Sequence, residues 1–437
     1  MNKLFARWSA FPKAAPYIVA TETAERFSYY GMKAILTTFL VSHFFKNELN
    51  AEAHANEVTH FFIALGYLLS IAGGLIADYV LGRYWTILLF SILYCVGHAF
   101  LAIFETNYDL FYAGLMLICL GMGGVKPNVS VMVGDQFENE DDKNISALYD
   151  LFYMGINVGS LFSMLLIPYL KGHYGAPVAF GVPGVLMAVA LLVFVFGTKK
   201  YKIKMPSDTK KEASESIFSQ LKQVWKVLVV FTFLPVWWAL YDQNGSEMVI
   251  QAQYMDLHFL GIDWLAEQVQ TINALLILVL IPVFAFGIFP ALEKVGIKVS
   301  ALRKIGWGMV IMVFAFAMIA WIQAEIDRGV KLNIGWQLFA YLILTISEIM
   351  VSITGLEYSF SNSPKMLKST IMAIFFFTVF LGNMLVVKIN QSIQEGGFFS
   401  HYKGANYFWV FTGIMAVNAV LFYAALYVFK IKDKQND

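Results

Sequence analysis

Residues 73–84, Gly73-Gly74-Leu75-Ile76-Ala77-Asp78-Tyr79-Val80-Leu81-Gly82-Arg83-Tyr84, form a short break between two long apolar stretches. Glycines allow helix backbones to approach each other closely in a membrane. Asp78 and Arg83 can form an ion pair that latches this side of the protein, which makes them candidate gating residues. A tight, solvated turn is the alternative interpretation. In both cases the segment predicts a loop that joins two membrane helices.

Apolar stretches like these two recur along nearly the whole chain. The composition is 59% hydrophobic and only 14% charged, and the mean hydropathy is +0.63. A spanning helix needs about 20 mostly apolar residues, so this pattern predicts an all-α polytopic membrane protein surrounded by lipid. With charged or Gly/Pro-rich breaks as boundaries, we predict twelve helices at 16–42, 58–78, 84–104, 108–132, 146–170, 177–197, 223–256, 265–292, 302–325, 334–362, 368–394 and 405–430.

Several classes of function have no support in the sequence. The net charge of +1, without a concentrated basic patch, argues against a nucleic-acid partner. Cys95 and Cys119 lie inside apolar segments and indicate no disulfide framework. There is no zinc-spaced His/Glu cluster, activated serine pattern, phosphate loop or signalling domain, so an enzyme or a membrane receptor is the less favoured reading. We therefore expect no metal and no cofactor.

A polar stretch at 199–222, rich in Lys, Glu and Ser, divides the predicted helices six and six. We predict an N-terminal six-helix bundle at 1–198, a cytoplasmic linker at 199–222 and a C-terminal six-helix bundle at 223–437. Basic residues are concentrated in alternate loops, beginning with the N-terminus. Since Lys and Arg accumulate on the cytoplasmic side, both termini are predicted to be cytoplasmic.

The first predicted helix carries charges that are costly in a membrane. It contains Glu22, Glu25, Arg26 and Lys33 together with Tyr29 and Tyr30. A charge at the bilayer centre costs at least about 2.5–3.5 kcal/mol on insertion scales, so each of these groups needs a partner, a water-filled cavity or a function. Steps of three and four residues place Glu22, Arg26, Tyr29 and Lys33 on one face, which must look inward.

Other predicted helices add ionisable groups at corresponding depths. Lys126 precedes Pro127 in the fourth, Asp242 lies in the seventh, and Glu348 and Glu357 lie in the tenth. The simplest physical interpretation is a polar cavity between the two halves, where acids and bases exchange partners. Arg26 and Lys126 can hold a carboxylate and Glu348 an ammonium, which suits a zwitterionic substrate. The alternative is that these charges only pair with one another to lock the helices together.

These residues resemble two nested families. Residues 73–84 are similar to the cytoplasmic loop signature of major facilitator transporters. The stretch Glu22-Thr23-Ala24-Glu25-Arg26-Phe27-Ser28-Tyr29-Tyr30-Gly31 resembles the first-helix signature E-x-x-E-R-F-x-Y-Y-G of the proton-dependent oligopeptide transporters. Further matches are Gly123–Pro127, Gly134–Phe137, Phe152–Ser160, Asp242-Gln243, Gln270–Ala274 and the stretch from Glu348 through Gly355-Leu356-Glu357-Tyr358 to Pro364.

The resemblance implies a proton-coupled symporter that imports di- and tripeptides by alternating access. It implies that Arg26 and Lys126 bind the peptide carboxylate and that Asn157, Asn273 and Glu348 receive the amino end. Tyr29, Tyr30 and Ser352 would line the pocket. Proton coupling would use Glu22, Glu25 and Lys126, together with a Lys33–Asp242 ion pair and His60. For His60, a capping or packing role is the alternative interpretation.

Three departures from the family pattern are visible. Phe375 stands where many members have a tryptophan, which changes one side-chain subsite. The break at 199–222 is too short for the two extra helices of many bacterial members, and only a short loop near 327–333 stands where animal members carry a large external domain. We therefore expect a compact prokaryotic transporter in a plasma or inner membrane, and we expect it to function as a monomer. A family relative that carries another small anion such as nitrate is the alternative function; intact Glu22, Glu25 and Arg26 favour peptides.

Overall fold

Helices make up nearly all of the regular structure in the computed structural model, which describes residues 11–137, 143–203, 225–355, 358 and 368–431, with the backbone alone at 143–147, 149–150 and 368–370. The α-helices in these ranges are α1 (Ala15–Phe39), α2 (Ala51–Ile76), α3 (Arg83–Ile103), α4 (Tyr108–Asp135), α5 (Lys143–Tyr174), α6 (Ala176–Phe196), α7 (Trp225–Phe231), α8 (Leu234–Tyr241), α9 (Glu247–Gln253), α10 (Thr271–Val283), α11 (Phe289–Lys294), α12 (Ala301–Asp327), α13 (Gly335–Glu348), α14 (Lys368–Gln394) and α15 (Ala405–Val428). Two short antiparallel strands, β1 (His258–Phe259) and β2 (Ile262–Asp263), pair in the connection after α9.

Most of these helices suit a lipid environment. Within the described ranges, eleven helical stretches are long and apolar enough to cross a membrane. Helix α1 has 25 residues, about 37 Å at 1.5 Å per residue, which also exceeds the roughly 30 Å hydrocarbon core. It carries four charged side chains, Glu22, Glu25, Arg26 and Lys33. The predicted all-α polytopic architecture is therefore confirmed.

One predicted helix boundary was wrong, and one predicted helix is interrupted. The second helix begins at Ala51 instead of residue 58, because Glu52, Asn56 and Glu57 bond to distant residues that the sequence does not identify. The helix predicted over 223–256 is present as one helical stretch, Trp225–Gln253, in which α7, α8 and α9 are separated by short interruptions. Pro235, which cannot donate a backbone hydrogen bond, lies in the first turn of α8. A 3₁₀ turn over Asp242–Gly245 then separates α8 from α9.

Helices α2 and α4 meet backbone to backbone at two glycines. A Cβ atom on Gly73 would lie 2.1 Å from the carbonyl oxygen of Gly123, so only glycine fits. Asn128 Nδ2 donates to the Gly124 carbonyl at 2.8 Å and to the Gly73 carbonyl at 3.2 Å. Pro127 removes one backbone donor at this level of α4. The asparagine side chain thus ties the two helices together where the proline loosens the ladder.

The chain forms two compact units. The first comprises Met1–Phe39 and Leu65–Ser214, and the second comprises Leu40–Ala64 and Glu215–Asp437. Residues 40–64 group with the second unit because side chains of α2 bond to its helices; Asn56 Nδ2, for example, donates to Glu247 Oε1 at 2.6 Å. The predicted bundles at 1–198 and 223–437 differ from this grouping at residues 40–64. The functional division into two bundles with a linker at 199–222 stays a prediction.

Each unit has its own apolar core. In the first, buried side chains of α1, α3, α4, α5 and α6 pack together, including Ile18, Ile87, Val129, Leu148 and Phe194. In the second, Ile277 and Phe284 pack against Ile349 and Met350. These cores fix the helices from which the polar residues project.

Candidate substrate and proton-coupling residues

Three charged side chains are buried together on α1. Glu22, Glu25 and Arg26 are 3%, 0% and 3% exposed. Arg26 Nε lies 3.0 Å from Glu22 Oε1, and it also forms an ion pair with Glu25. One guanidinium therefore serves two carboxylates inside the first unit. Burying these charges costs desolvation energy that their attraction barely offsets, so the cluster adds little stability. Its presence in a membrane helix therefore indicates a function.

Lys126 and two tyrosines lie in the same unit as this cluster. The Lys126 Nζ atom is 3.8 Å from the centre of the Tyr67 ring, within the range of a cation–π interaction. Its ammonium also attracts the Glu22 carboxylate electrostatically. Tyr29 is buried and packs edge-on against Tyr30, with ring centres 5.1 Å apart. Glu22 and Lys126, to which the family resemblance assigns proton coupling, thus lie in the same unit and attract each other electrostatically.

Asn157 is positioned to act as an acceptor. Its side-chain Nδ2 donates to the Tyr153 carbonyl at 2.8 Å, one turn earlier in α5. One of the two N–H donors of the amide is therefore used, and Oδ1 is an atom that can receive an N–H group. This orientation is the one that binding of an amino end requires.

Arg83 bridges two aspartates at the end of residues 73–84. Its Nη2 donates to Asp78 Oδ1 at 3.1 Å, as predicted, and its Nη1 donates to Asp135 Oδ2 at 2.6 Å. The second partner was missed, although Asp135 stands in the quoted stretch Gly134–Phe137. The bridge joins the turn before α3 to the end of α4. The gating role of Asp78 and Arg83 stays a prediction.

Glu348 is the centre of a hydrogen-bonded group in the second unit. Tyr241 donates its hydroxyl to Glu348 Oε1 at 2.7 Å, and Asn273 Nδ2 donates to Glu348 Oε2 at 2.7 Å. Asn273 Nδ2 also contacts Thr345 Oγ1 at 3.0 Å. Tyr241 stacks on Trp237, with ring centres 5.0 Å apart. Each oxygen of the carboxylate thus has a neutral donor, which holds its orientation without supplying a positive charge.

Ser352 and Phe375 belong to the same unit. Ser352 is half-buried in a π-helical turn, Ile349–Ile353, which directly follows Glu348 at the end of α13. Such turns are frequent at functional sites. Phe375 is buried and packs edge-on against Phe231 and Trp238, with ring centres 5.7 and 6.0 Å apart. Glu357, the other acid predicted on this helix, lies outside the described residues.

His60 lies in a buried polar chain that ends at Asp242. Asn383 Nδ2 donates to Asp242 Oδ2 at 2.6 Å, and Asn383 Oδ1 lies 2.7 Å from His60 Nδ1. Because Asn383 Oδ1 can only accept, His60 Nδ1 carries the proton in this arrangement. His60 Nε2 faces the Ser246 hydroxyl at 2.8 Å. The second ring nitrogen can therefore accept a proton while the chain to Asp242 stays intact.

Lys33 is buried in the first unit, at 8% exposure, whereas Asp242 belongs to the second unit. The predicted ion pair between them stays a prediction. The structure also shows a partly buried hydrogen bond that the sequence did not suggest. In it, Lys171 Nζ donates to Thr38 Oγ1 at 2.9 Å.

Comparison with known proteins identifies the family. A family model described as the POT family matches residues 84–218 and 209–410. The chain belongs to the POT family. Two solved structures, the POT family transporter PepTSo and an auto-inhibited POT family peptide transporter, have TM-scores of 0.88 and identities of 33% and 28%. The first alignment covers 97% of this chain and 99% of that structure, and the second covers 98% and 99%.

Membership of the POT family confirms the predicted class, a membrane transporter of major facilitator type and not an enzyme. Solute carrier family 15 member 1 of Homo sapiens is 35% identical over 378 residues, which cover 73% of this chain. The same residues cover 53% of the human protein, so the chain spans about half of that relative's length.

Several partners of the predicted residues were missed. Tyr241 and Asn383 complete the groups around Glu348 and Asp242, and Ser246 completes the contacts of His60. Tyr241 and Ser246 flank Asp242 in the chain, so proximity was an available signal. For Asn383, the sequence offered a single signal, which is a polar side chain inside an apolar helix.

Proposed function

We propose that this POT family protein imports di- and tripeptides together with protons by alternating access. The observation that carries the proposal is the buried cluster of Glu22, Glu25 and Arg26 on α1. A single charge at mid-membrane already costs at least about 2.5–3.5 kcal/mol on insertion scales, and here three lie within two turns of one helix. A solved relative is named as a peptide transporter, which supports peptides as the substrate class.

The two ends of the peptide would be recognised by groups of opposite charge. Arg26 and Lys126 would bind the carboxylate, since both are cations held close to acids that can release them. Glu348 would bind the ammonium, because its carboxylate already has two neutral donors but no cation in the described residues. The neighbouring acceptors and walls would be Asn157, Asn273, Tyr29, Tyr30, Ser352 and Phe375.

Protons would act on the acids that compete for these cations. Protonation of Glu22 or Glu25 would remove one ion-pair partner of Arg26 and weaken the electrostatic attraction on Lys126. Both cations would then be available to a peptide carboxylate. His60 would take part through the chain to Asp242, with Lys33 as the cation of the other unit. The Arg83 bridge would act as a gate at one membrane face. The protein would work as a monomer with both termini in the cytoplasm of a plasma or inner membrane.

Uptake into liposomes tests the function directly. We expect purified protein in liposomes to accumulate tritiated dialanine when an inward proton gradient or an inside-negative potential is applied. One net positive charge moved inward gains about 2.3 kcal/mol per 100 mV, so the potential alone should drive accumulation. Uptake that ignores both gradients, or that nitrate inhibits and unlabelled dialanine does not, would contradict the proposal.

A matched pair of lysine variants tests the coupling role. Lys126→Ala should abolish proton-driven uptake, whereas Lys388→Ala, at an exposed lysine of α14, should leave it unchanged. Both proteins should elute as folded monomers in size-exclusion chromatography. Full activity of folded Lys126→Ala would remove Lys126 from the mechanism.

A further inference from the structure

The second unit contains a cavity of about 590 Å³ beside the connection between α1 and α2. We call it the loop-side cavity; its wall includes Glu52, Glu247, Tyr254, Asn390, Lys403 and Tyr407. Its volume lies in the range of about 300–1,000 Å³ that is typical of small-molecule sites. Glu348 and Asn273, to which the proposed function assigns the peptide amino end, do not line it, and neither does Tyr241, which donates to Glu348.

Two carboxylates face this cavity without a cation. Glu247 Oε1 accepts from Asn56 Nδ2 at 2.6 Å, and the Tyr407 hydroxyl donates to the same carboxylate. The neighbouring charge is Glu52, whose Oε1 accepts from the Tyr254 hydroxyl at 2.8 Å. Neither acid forms an ion pair with any residue that the structure describes. The wall therefore carries two acids that neutral donors orient and that form no ion pair within the described part of the chain.

A buried amide adds an unpartnered acceptor to the same wall. Asn390 is 0% exposed, and its Nδ2 donates to the Val386 carbonyl at 3.0 Å and to the Tyr407 hydroxyl at 3.3 Å. Its Oδ1 has no hydrogen-bond partner among the described residues. A buried acceptor left unsatisfied costs about 1–3 kcal/mol, which indicates that this position is completed by a donor from outside the chain.

Cations stand elsewhere on the cavity wall. Lys403 Nζ donates to Asn50 Oδ1 at 2.7 Å. A second lysine, Lys46, also lines the cavity, together with the acid Glu48. Lys403 is exposed and is held by a neutral amide, so it can still attract an anion. Acids, an amide and lysines thus line the same cavity, a set of groups that suits a zwitterion.

We propose that the loop-side cavity is a second peptide-binding site, which takes the primary ammonium of the peptide. An ammonium has three N–H donors and no acceptor. Glu247, Glu52 and Asn390 Oδ1 supply three acceptors for it, and Lys403 attracts the carboxylate end. This inference rests on the proposed function. In the predicted orientation the cavity faces the outside, so it would hold a peptide before transport.

Equilibrium binding of tritiated dialanine to purified protein tests the inference. We expect the wild type to show two binding sites, of which Glu348→Gln retains the loop-side one. Glu247→Gln should weaken that site at least about tenfold, the loss expected for one hydrogen bond to a charged group. The control is Glu395→Gln, an exposed acid that does not line the cavity, which should change nothing. N-acetyl-dialanine, which lacks the ammonium, should not compete at the retained site.

Three outcomes would overturn the inference. The first is a single site that Glu348→Gln abolishes, a result that leaves the proposed function standing. The second is a retained site at which N-acetyl-dialanine competes equally. The third is unchanged binding in Glu247→Gln with a shifted pH profile of uptake, which would make Glu247 a proton site. A wild type that binds no dialanine at all would instead refute the proposed function.

Folding of the variants is controlled within the same experiment. The Glu348-dependent site should remain intact in Glu247→Gln, and its loss would mark that variant as misfolded. Asn390→Leu then serves as a second variant, because it preserves the volume and removes Oδ1. We expect it to weaken the loop-side site as well, and unchanged affinity at that site would contradict the assignment.

Discussion

Replacing Arg26 by glutamine should destabilise the protein more than any change to an exposed arginine. The side chain pairs with Glu22 and Glu25, which are 3% and 0% exposed. Removal of one partner of a buried ion pair costs about 3–5 kcal/mol, because an uncompensated charge stays buried. Here two carboxylates lose the same cation, so we expect the free energy of unfolding to fall by about 5 kcal/mol.

The free energy of unfolding can be measured by titration with sodium dodecyl sulfate in mixed micelles, followed by tryptophan fluorescence. Arg303→Gln, at an exposed arginine of α12, is the matched control and should stay within about 0.5 kcal/mol of the wild type. In the triple variant Arg26→Gln, Glu22→Gln, Glu25→Gln no charge of this cluster remains. Since replacing a whole buried ion pair is often neutral, this variant should recover most of the stability.

An Arg26→Gln protein as stable as Arg303→Gln would show that the cluster is hydrated. A triple variant that stays as unstable as the single one would show that shape, and not charge, is what Arg26 contributes. Either result would refute the account of the cluster given above.

Three further predictions follow from the described contacts. Glu348→Gln should raise the KM of dialanine uptake at least about tenfold, the loss of one hydrogen bond to a charged group, and an unchanged KM would exclude an ammonium site there. Arg83→Gln breaks both bonds of the aspartate bridge, so we expect lower peptide uptake and faster proteolysis of residues 73–84; wild-type behaviour in both assays would contradict a gating role. In the exposed β-hairpin, the hydrogen bond to Asp263 raises the pKa of His258, so the contact stabilises the folded state below the ordinary histidine pKa and is lost as the pH rises through the folded value. NMR titration should show a pKa that falls in Asp263→Asn, and an identical pKa in both proteins would mean that the contact does not form.

The charged residues of α1 could be recognised from the sequence because charged side chains are costly and rare in membrane helices. Spacing placed Glu22 and Arg26 on one face, and the ion pair at 3.0 Å agrees with that placement. The Asp78–Arg83 pair was predicted for the same reason, since the two residues are five positions apart in one turn. Local contacts of this kind depend only on helix and turn geometry, which the sequence encodes directly.

Contacts between distant segments could not be predicted in this way. Asn56 and Glu247 are 191 positions apart, and His60 and Asn383 are 323 apart. Nothing in either segment specifies the register in which the helices pack. The early start of α2 at Ala51 has the same cause, because its polar first turns look like a loop until their partners are known. The break of the helix over 223–256 was detectable from Pro235, which was not used.

The contact between Gly73 and Gly123 has a consequence for how Lys126 can move. No side chain separates the two backbones, so nothing at this crossing can change rotamer to let one helix slide along the other. Lys126 begins three residues beyond Gly123, less than one turn of α4 away. The Cα atom of the lysine is thus fixed relative to α2, and any movement of its charge relative to that helix has to come from the four methylenes of the side chain.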